Sequence, residues 1–241
     1  MIKFLNLSPL QSKGLDKPIY KNALNLKNDA ILLAEQRKSF SAATSLLVLS
    51  TEENVKSTLV LLHSEGYNIY KVKDSRKFFS DHVLRHQIAM LIEMGLSFFE
   101  TWYKFDQRKP TKLLRTKKKW FDDLVNGAID IIKAADPIIN SERNINYLQE
   151  FNTIKNKGFY VDYRDGLIDP NIEITLQDYT KALNIASRIF KFNKLLRILF
   201  HDKLENHMEK EKVEKAKNYI REFINDGMKL VSFDELKKKS L

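Results

Sequence analysis

The 241-residue chain contains no cysteine, which excludes disulfides, thiolate zinc sites and cysteine nucleophiles. Glycine and proline are scarce, at 7 and 5 residues, or about half of their average usage. A turn-rich all-β fold needs more of both, so this scarcity favours long helices. The chain has no uncharged apolar run of about 18 residues, which a membrane span would need. Because it also lacks the apolar segment of a signal peptide, we expect no membrane span and a cytoplasmic location.

Sequence signatures of several enzyme classes are missing as well. The glycines are scattered, so the chain has neither a phosphate-binding P-loop nor a dinucleotide-binding fingerprint. It also lacks the Gly-x-Ser-x-Gly nucleophile elbow. With five histidines, no His-Glu-x-x-His and no Glu-x-x-His pair, a metal site has little support. The sequence therefore predicts neither a metal nor another cofactor.

Positive charge is in surplus, with 41 lysines and arginines against 31 acidic residues and a net charge of +10. Such a surplus attracts polyanions, of which nucleic acid is the commonest, although a lysine-rich solvated surface gives the same count. The densest basic run lies beside Trp120 and Phe121, and it supplies the candidate RNA-binding residues Arg115, Lys117, Lys118 and Lys119. In the alternative interpretation, this run begins a helix whose aromatic residues face the core.

Apolar residues recur at helical spacing along most of the chain, which predicts an all-α fold. Helices are predicted at about 18–37, 39–64, from Asp74 or Ser75 to about 105, at about 117–135, 141–156, from Thr175 onward, and at about 205–226. Asp136-Pro137 is predicted to end a helix, and residues 157–163 form the one strand-like segment. We expect a single all-helical domain over 1–241, with a core at about 18–106 and a helical extension at about 111–230.

The most informative segment runs from Arg76 to His86 and supplies the candidate catalytic residues Arg76, His82 and His86. An imidazole can take the proton of a ribose 2′-OH near neutral pH. A guanidinium can bind the phosphate bidentately and stabilise its transition-state charge. His82 and His86 share a helix face, so the alternative is a pair of histidines packed at the edge of the core.

The spacing of Arg76 and His82 argues against a simple intramolecular pair. On one ideal helix, six residues correspond to a rotation of roughly 240°, so the two side chains would lie on different faces. Arg76 would have to reach over from a frayed first turn or act across a subunit interface. Arg197 and His201 form a reserve pair at helical spacing, but their neighbours look like core.

Charged residues also interrupt the most apolar helix, at Glu52, Glu53 and Lys56. Glu52 and Lys56 have the favourable i,i+4 order, while Glu53 and Lys56 share a stripe with Leu49. Charges inside an apolar run form either a solvent face or a buried pair. We favour a partly buried structural pair over a catalytic carboxylate.

An ordered set of short motifs carries a family resemblance over roughly residues 18–190. It consists of Asp29-Ala30, the Glu52-Glu53-x-x-Lys56 segment, Asp81-His82 followed by Arg85, and the 157–162 segment Lys-Gly-Phe-Tyr-Val-Asp. This set resembles the AbiV-type abortive-infection proteins, a branch of the HEPN superfamily.

The resemblance implies a HEPN-like helical bundle with additional C-terminal helices, usually dimeric, and a role in bacterial defence against phage. Many HEPN proteins are metal-independent ribonucleases with an arginine, a short spacer and a histidine, and the five-residue spacer between Arg76 and His82 fits. The family commonly has lysine where this chain has Arg85, which keeps the charge and changes its hydrogen-bond geometry.

Together, these expectations predict a phage-defence endoribonuclease that acts on RNA as a homodimer. We expect infection to activate it, with a phage-encoded protein as a candidate activator. A non-enzymatic helical protein that binds a phage or host protein and blocks translation is the alternative. A general basic RNA-binding protein and a degenerate, non-catalytic HEPN domain also stay open.

Overall fold

The computed structural model describes residues 3–72, 74–106, 136–163, 166–206, 209–222 and 224–225. Its α helices are α1 Pro9–Ser12, α2 Asp16–Arg37, α3 Phe40–Ser64, α4 His82–Asp106, α5 Asp136–Gln149, α6 Phe151–Phe159, α7 Pro170–Glu173, α8 Leu176–Leu199 and α9 Lys210–Glu222. Short 3-10 turns lie at Phe4–Asn6, Ile69–Lys71, Ser75–Lys77 and Leu204–Asn206. None of the described helices has the length and apolarity needed to cross a bilayer.

Strand structure in the described residues is limited to a small antiparallel hairpin. Strand β1, Asp162–Tyr163, pairs with β2, Leu167–Ile168, and Tyr163 lies opposite Leu167. The prediction of an all-α fold is therefore confirmed. The division into a core and an extension at about 106–111 stays a prediction.

Helix α3 is the central element and contacts α2, α4, α6 and α8. Its pairing with α2 is close because α2 turns Ala23, Ala30 and Ala34 inward. Small residues let two backbones approach, and the Ser50 hydroxyl donates a 2.7 Å hydrogen bond to the Ala23 carbonyl. The hydrophobic core continues from this pair through α4, α5, α6 and α8.

Two buried polar clusters fasten the outer helices to this core. On α8, Arg197 donates to Asn193 Oδ1 at 2.7 Å and pairs with Asp16 at 2.7 Å, which joins α8 to the start of α2. Glu93 of α4 is fully buried and accepts hydrogen bonds from Arg188 Nε of α8, at 2.7 and 2.8 Å, and from the Asn144 amide of α5 at 2.8 Å. Buried charges in proteins are normally paired in this way.

The start of the histidine helix differs from the prediction. We predicted a cap at Asp74 or Ser75, but α4 begins at His82, because Asp81 caps it by accepting from the Leu84 N–H at 3.1 Å. Before it, Asp74 adopts a left-handed conformation, with φ of 62°, and the chain makes a 3-10 turn. Burial of Phe78 fixes this turn against the core.

Two further predictions of local structure were wrong. Asp136 and Pro137, which we predicted to end a helix, are themselves helical and belong to α5. The strand-like segment over 157–163 is helical through Phe159 and extended at Tyr160, and only Asp162–Tyr163 forms a paired strand. The predicted helix at about 117–135 lies outside the described residues.

The ends of the remaining helices agree more closely with the sequence. Thr175 caps α8 through a capping box with Asp178, as its position predicted. The charged C-terminal helix begins at Lys210, later than predicted, and is described through Glu222. His201, the second member of the reserve pair, lies past the end of α8 and is exposed. Arg197 instead contacts Asp16 of α2 and Asn193 of α8. The structure therefore does not bring the reserve pair together.

Candidate active site

The carboxylate of Glu52 is the centre of the candidate site. Its side chain is only 2% exposed and lies in the middle of α3, where an unpaired charge would be strongly disfavoured. Four side chains from two other helices surround it: Arg85 Nη2 at 2.8 Å, His86 Nε2 at 3.0 Å, Lys155 Nζ at 3.3 Å, and His82 Nδ1 in direct contact. We call these five residues the Glu52 cluster.

His82 is the member of the cluster that faces solvent. As the first residue of α4 it has one side open, and its side chain is 50% exposed. Its Nδ1 contacts Glu52 Oε2 and lies 2.7 Å from Arg85 Nη2. The ionised carboxylate favours the tautomer in which Nδ1 carries the proton and donates to Glu52, and the donor-only guanidinium of Arg85 then pairs with Glu52 and not with Nδ1. The other nitrogen, Nε2, is then the one available to a substrate.

Arg85 lies behind His82, one turn along α4, and is 2% exposed. Its Nε and Nη2 both donate to Glu52 Oε2, at 3.3 and 2.8 Å, and its Nη1 lies 3.5 Å from the Phe78 carbonyl. These contacts fix the guanidinium inside the fold. Arg85 therefore balances the charge of Glu52 and is too deeply buried to touch a substrate itself.

His86 is buried as well, with its ring edge-on to Phe151 of α6 at 5.5 Å between centroids. It donates from Nε2 to Glu52 Oε1 at 3.0 Å. Because a solvent-exposed substrate cannot reach this ring, His86 does not occupy the position of a second catalytic imidazole within one subunit. Its geometry is that of a residue that orients Glu52.

Burial and neighbouring charges shift the pKa values of Glu52 and His86 in the cluster. Burial by itself raises the pKa of Glu52, but the hydrogen bond from His86 and the charge of Arg85 outweigh burial and hold that pKa well below its usual range. Burial lowers the pKa of His86, and the nearby cations Lys155 and Arg85 add to this effect against the attraction of Glu52. At neutral pH the cluster thus holds an ionised Glu52 and a neutral His86.

Lys155 is the member that sequence reasoning missed. It lies on α6, 103 residues beyond Glu52, and is 12% exposed. A local signal did exist, because Phe151 and Gly158 on the same face of α6 are buried, so a lysine between them had to meet a partner. The identity of that partner depends on how α6 packs against α3, and a single sequence does not contain this information.

Other predicted site residues lie apart from the Glu52 cluster. Arg76 is exposed on the 3-10 turn Ser75–Lys77, and the described contacts do not join it to His82. Lys56 forms a partly buried pair with Glu53, so the i,i+4 pair of Glu52 with Lys56 does not form. The Asn22 amide also reaches Glu53, at 3.5 Å, so these residues link α2 to the outer face of α3.

The remaining candidates concern RNA and metal. Arg115, Lys117, Lys118 and Lys119 lie outside the described residues. Within the part of the chain that is described, no group of three or more histidine or acidic side chains is arranged to hold a metal ion. Among the described residues, the Glu52 cluster is thus the arrangement with the chemistry that the sequence predicted.

Chemically, the cluster presents one half-exposed imidazole on a buried ionic support. The support fixes the tautomer and the orientation of the ring, which is what a general acid or base requires. Arg85 and Lys155 carry two positive charges against the single negative charge of Glu52. This leaves a surplus of positive charge next to His82 and makes the opening attractive to an anion such as a phosphate group.

Comparison with known proteins gives one match. A family model for AbiV, HEPN_AbiV, matches residues 11–191. No curated protein and no solved structure matches the chain significantly. The matched range contains α2 to α7 and most of α8, and it includes every residue of the Glu52 cluster.

Proposed function

The chain belongs to the AbiV family of HEPN proteins, with their abortive-infection type of function, and from this premise we propose that it is a metal-independent endoribonuclease of phage defence. The single observation that supports cleavage is the half-exposed imidazole of His82, whose Nδ1 is held by the buried Glu52. With Nδ1 engaged by Glu52, Nε2 is the ring nitrogen available to a substrate. Nucleic acid is the substrate class because the chain carries a net charge of +10.

The proposed reaction begins at the ribose 2′-OH. His82 Nε2 removes its proton, and the 2′-oxygen attacks the adjacent phosphorus. The bond from phosphorus to the 5′-oxygen then breaks, and a protonated imidazole returns a proton to that leaving oxygen. The products are a 2′,3′-cyclic phosphate and a 5′-hydroxyl, so atoms and charge balance without a metal or any further reactant.

Two imidazoles perform this reaction better than one, because base and acid are needed at once. Within one subunit the second histidine, His86, is buried behind Glu52. We therefore assign the acid to His82 of a second copy in a homodimer. To Arg76, which is exposed six residues before His82, we assign stabilisation of the phosphorane. Catalytic groups must lie within hydrogen-bond reach of the phosphate.

Regulation follows from the toxicity of the reaction. A ribonuclease in an uninfected cell has to be inactive, and a phage-encoded protein that binds the dimer is the activator we propose. Binding of such a protein would increase the active population only if it prefers the active state.

The first experiment is an RNA cleavage assay on the purified protein in EDTA, with end-group analysis of the products. We expect the wild type to leave 2′,3′-cyclic phosphate ends and His82→Ala to lose at least ~100-fold in rate, the usual contribution of a general base. His201→Ala is the matched control, because His201 is also exposed but lies past the end of α8, outside the Glu52 cluster. Its rate should equal that of the wild type.

Two results would contradict the proposal. One is equal cleavage by the wild type and His82→Ala, which would indicate a contaminating nuclease. The other is no cleavage by the wild type either in buffer or in an extract of phage-infected cells.

The second candidate function is the non-enzymatic one, binding of a phage or host protein that blocks translation. The saturation of Glu52 by four partners favours it, because the same contacts would form in a purely structural cluster. Under this alternative, folded His82→Ala still protects cells against phage, whereas the ribonuclease proposal requires protection to be lost.

A further inference from the structure

Exposed apolar side chains concentrate on the β hairpin and its flanks. Five of them are 66% to 76% exposed within 13 residues, and we call them the hairpin patch: Tyr160, Val161, Tyr163, Leu167 and Ile172. The largest apolar patch on a protein surface is often functional, so a concentration of this kind is a candidate interaction site.

The geometry of the hairpin brings the patch together. Tyr163 and Leu167 are directly opposite each other across the two strands, so their side chains lie on one face. Val161 falls on the same face by the two-residue alternation of an extended chain. Ile172 lies on α7, which follows β2 directly and is joined to α6 by the ion pair between Lys157 and Glu173, at 3.1 Å.

The size of the patch matches what a stable dimer needs. A fully exposed aromatic side chain offers about 150–250 Å², so the five exposed fractions sum to on the order of 500 Å² of apolar surface. A standard interface buries about 800 Å² on each partner, of which somewhat more than half is apolar. The hairpin patch could therefore supply the apolar centre of such an interface.

The charges around the patch distinguish between possible partners. Asp162 and Glu173 are exposed beside it, which disfavours a nucleic acid. Lys157 and Glu173, at its edge, carry opposite charges, and their side chains are 41% and 37% exposed. A two-fold interface places the same patch on both sides, so a patch that carries both a cation and an anion can pair with itself.

We propose that the hairpin patch is the surface through which two copies of this chain associate. The inference rests on the proposed function in that it gives the proposed homodimer its interface. It also connects that interface to the candidate active site, because α6 carries Lys155, which reaches Glu52, and leads into the hairpin at its C-terminal end. Association would thus hold α6, and Lys155 with it, in place.

The test measures association in the absence of RNA, by sedimentation velocity of the full chain across a range of micromolar concentrations. We expect a dimer for the wild type. We expect the double variant Tyr163→Ser, Leu167→Ser to raise the dimer dissociation constant by at least ~30-fold, the loss typical of a central interface residue. Leu10→Ser is the matched control, since Leu10 is 75% exposed on α1, and it should remain dimeric.

A second measurement covers the case in which the double variant fails to fold. The chain has no cysteine, so Tyr163→Cys introduces a single thiol near the expected two-fold axis. Mild oxidation should convert it to a disulfide-linked dimer, whereas Leu10→Cys should stay monomeric under denaturing electrophoresis.

Each outcome bears on the inference separately from cleavage. A wild type that is monomeric at all concentrations overturns both the patch and the proposed homodimer. A folded double variant that still dimerises, or equal cross-linking of Leu10→Cys and Tyr163→Cys, overturns the patch alone. A dimer that depends on the patch but never cleaves RNA leaves this inference intact and overturns the ribonuclease.

Discussion

At the scale of single residues, the stability of the site depends on one buried carboxylate. Glu52 is the partner of Arg85, which is itself only 2% exposed. A buried charge whose partner is removed becomes strongly unfavourable, more so than the intact pair was favourable. The cost of losing Glu52 therefore comes mainly from the cations that it leaves behind.

Glu52→Gln tests this dependence, because it keeps the shape of the side chain and removes its charge. We expect the free energy of unfolding to fall by about 3 kcal/mol, measured by urea denaturation with an unchanged m-value. The matched control is Glu53→Gln, at the next position, where the side chain is 24% exposed and pairs with Lys56. There the loss should stay below about 1 kcal/mol, and equal losses in the two variants would contradict the assignment.

His86 makes stability depend on pH. Its pKa is lowered in the fold from an ordinary 6.5, so below about pH 6.5 the unfolded chain binds more protons than the folded chain. The depressed pKa of Glu52 acts in the same direction at more acid pH. Stability is therefore complete above about pH 6.5 and decreases as the pH falls.

We expect the melting temperature of the wild type to drop between pH 7.5 and 5.5, and that of His86→Gln to drop less, because glutamine keeps a donor and does not titrate. His201→Gln, at an exposed position, should retain the slope of the wild type. Parallel slopes for the wild type and His86→Gln would show that the neutral ring of His86 does not govern the acid limb.

At the scale of elements, the sequence was informative where a signal was local. The alanine spacing of α2, the long apolar repeat of α3 and the capping box at Thr175 each lie within a few residues, and the corresponding helices formed close to the predicted bounds. The start of α4 was misplaced because Asp74, Ser75 and Asp81 are all acceptable caps. The burial of Phe78 keeps the preceding residues in a 3-10 turn, so that Asp81 is the residue that caps α4.

The contact of α6 with α3 is the element-scale feature that completes the site. Gly158 packs so closely on α3 that a Cβ there would lie 2.2 Å from Ser45 Oγ and 2.8 Å from the Ser41 carbonyl oxygen. A serine hydroxyl can rotate away, but a helix carbonyl cannot. Any side chain at position 158 must therefore push α6 outward, and Lys155, one turn earlier, moves with it.

Gly158→Ala should accordingly destabilise the protein by about 1–3 kcal/mol, the usual result of overpacking. Gly166→Ala is the control, because a Cβ at Gly166 meets nothing within 4 Å. Its stability should stay within about 0.5 kcal/mol of the wild type. The free energies of unfolding of the three proteins are measured by thermal or urea denaturation. Indistinguishable unfolding of Gly158→Ala and the wild type would show that α6 can shift freely.

At the scale of the whole molecule, the candidate site could be predicted only in part. His82, Arg85 and His86 fall within about one helical turn, so the motif itself showed them together. Glu52 was noticed as a charge inside an apolar run, but its partners come from α4 and α6. Sequence patterns fix which face of a helix is buried and leave open which helices meet, so Lys155 was missed and Lys56 was assigned to the wrong carboxylate.

The position of Lys155 in the chain also determines when the Glu52 cluster can be completed during synthesis. Ribosomes add roughly 5–20 residues per second, and Lys155 follows His86 by 155 − 86 = 69 positions. A growing chain therefore contains Glu52, His82, Arg85 and His86 for roughly 3–14 seconds before the last cation of the cluster has been synthesised. Because of this order of synthesis, each new copy lacks part of the Glu52 cluster during that interval.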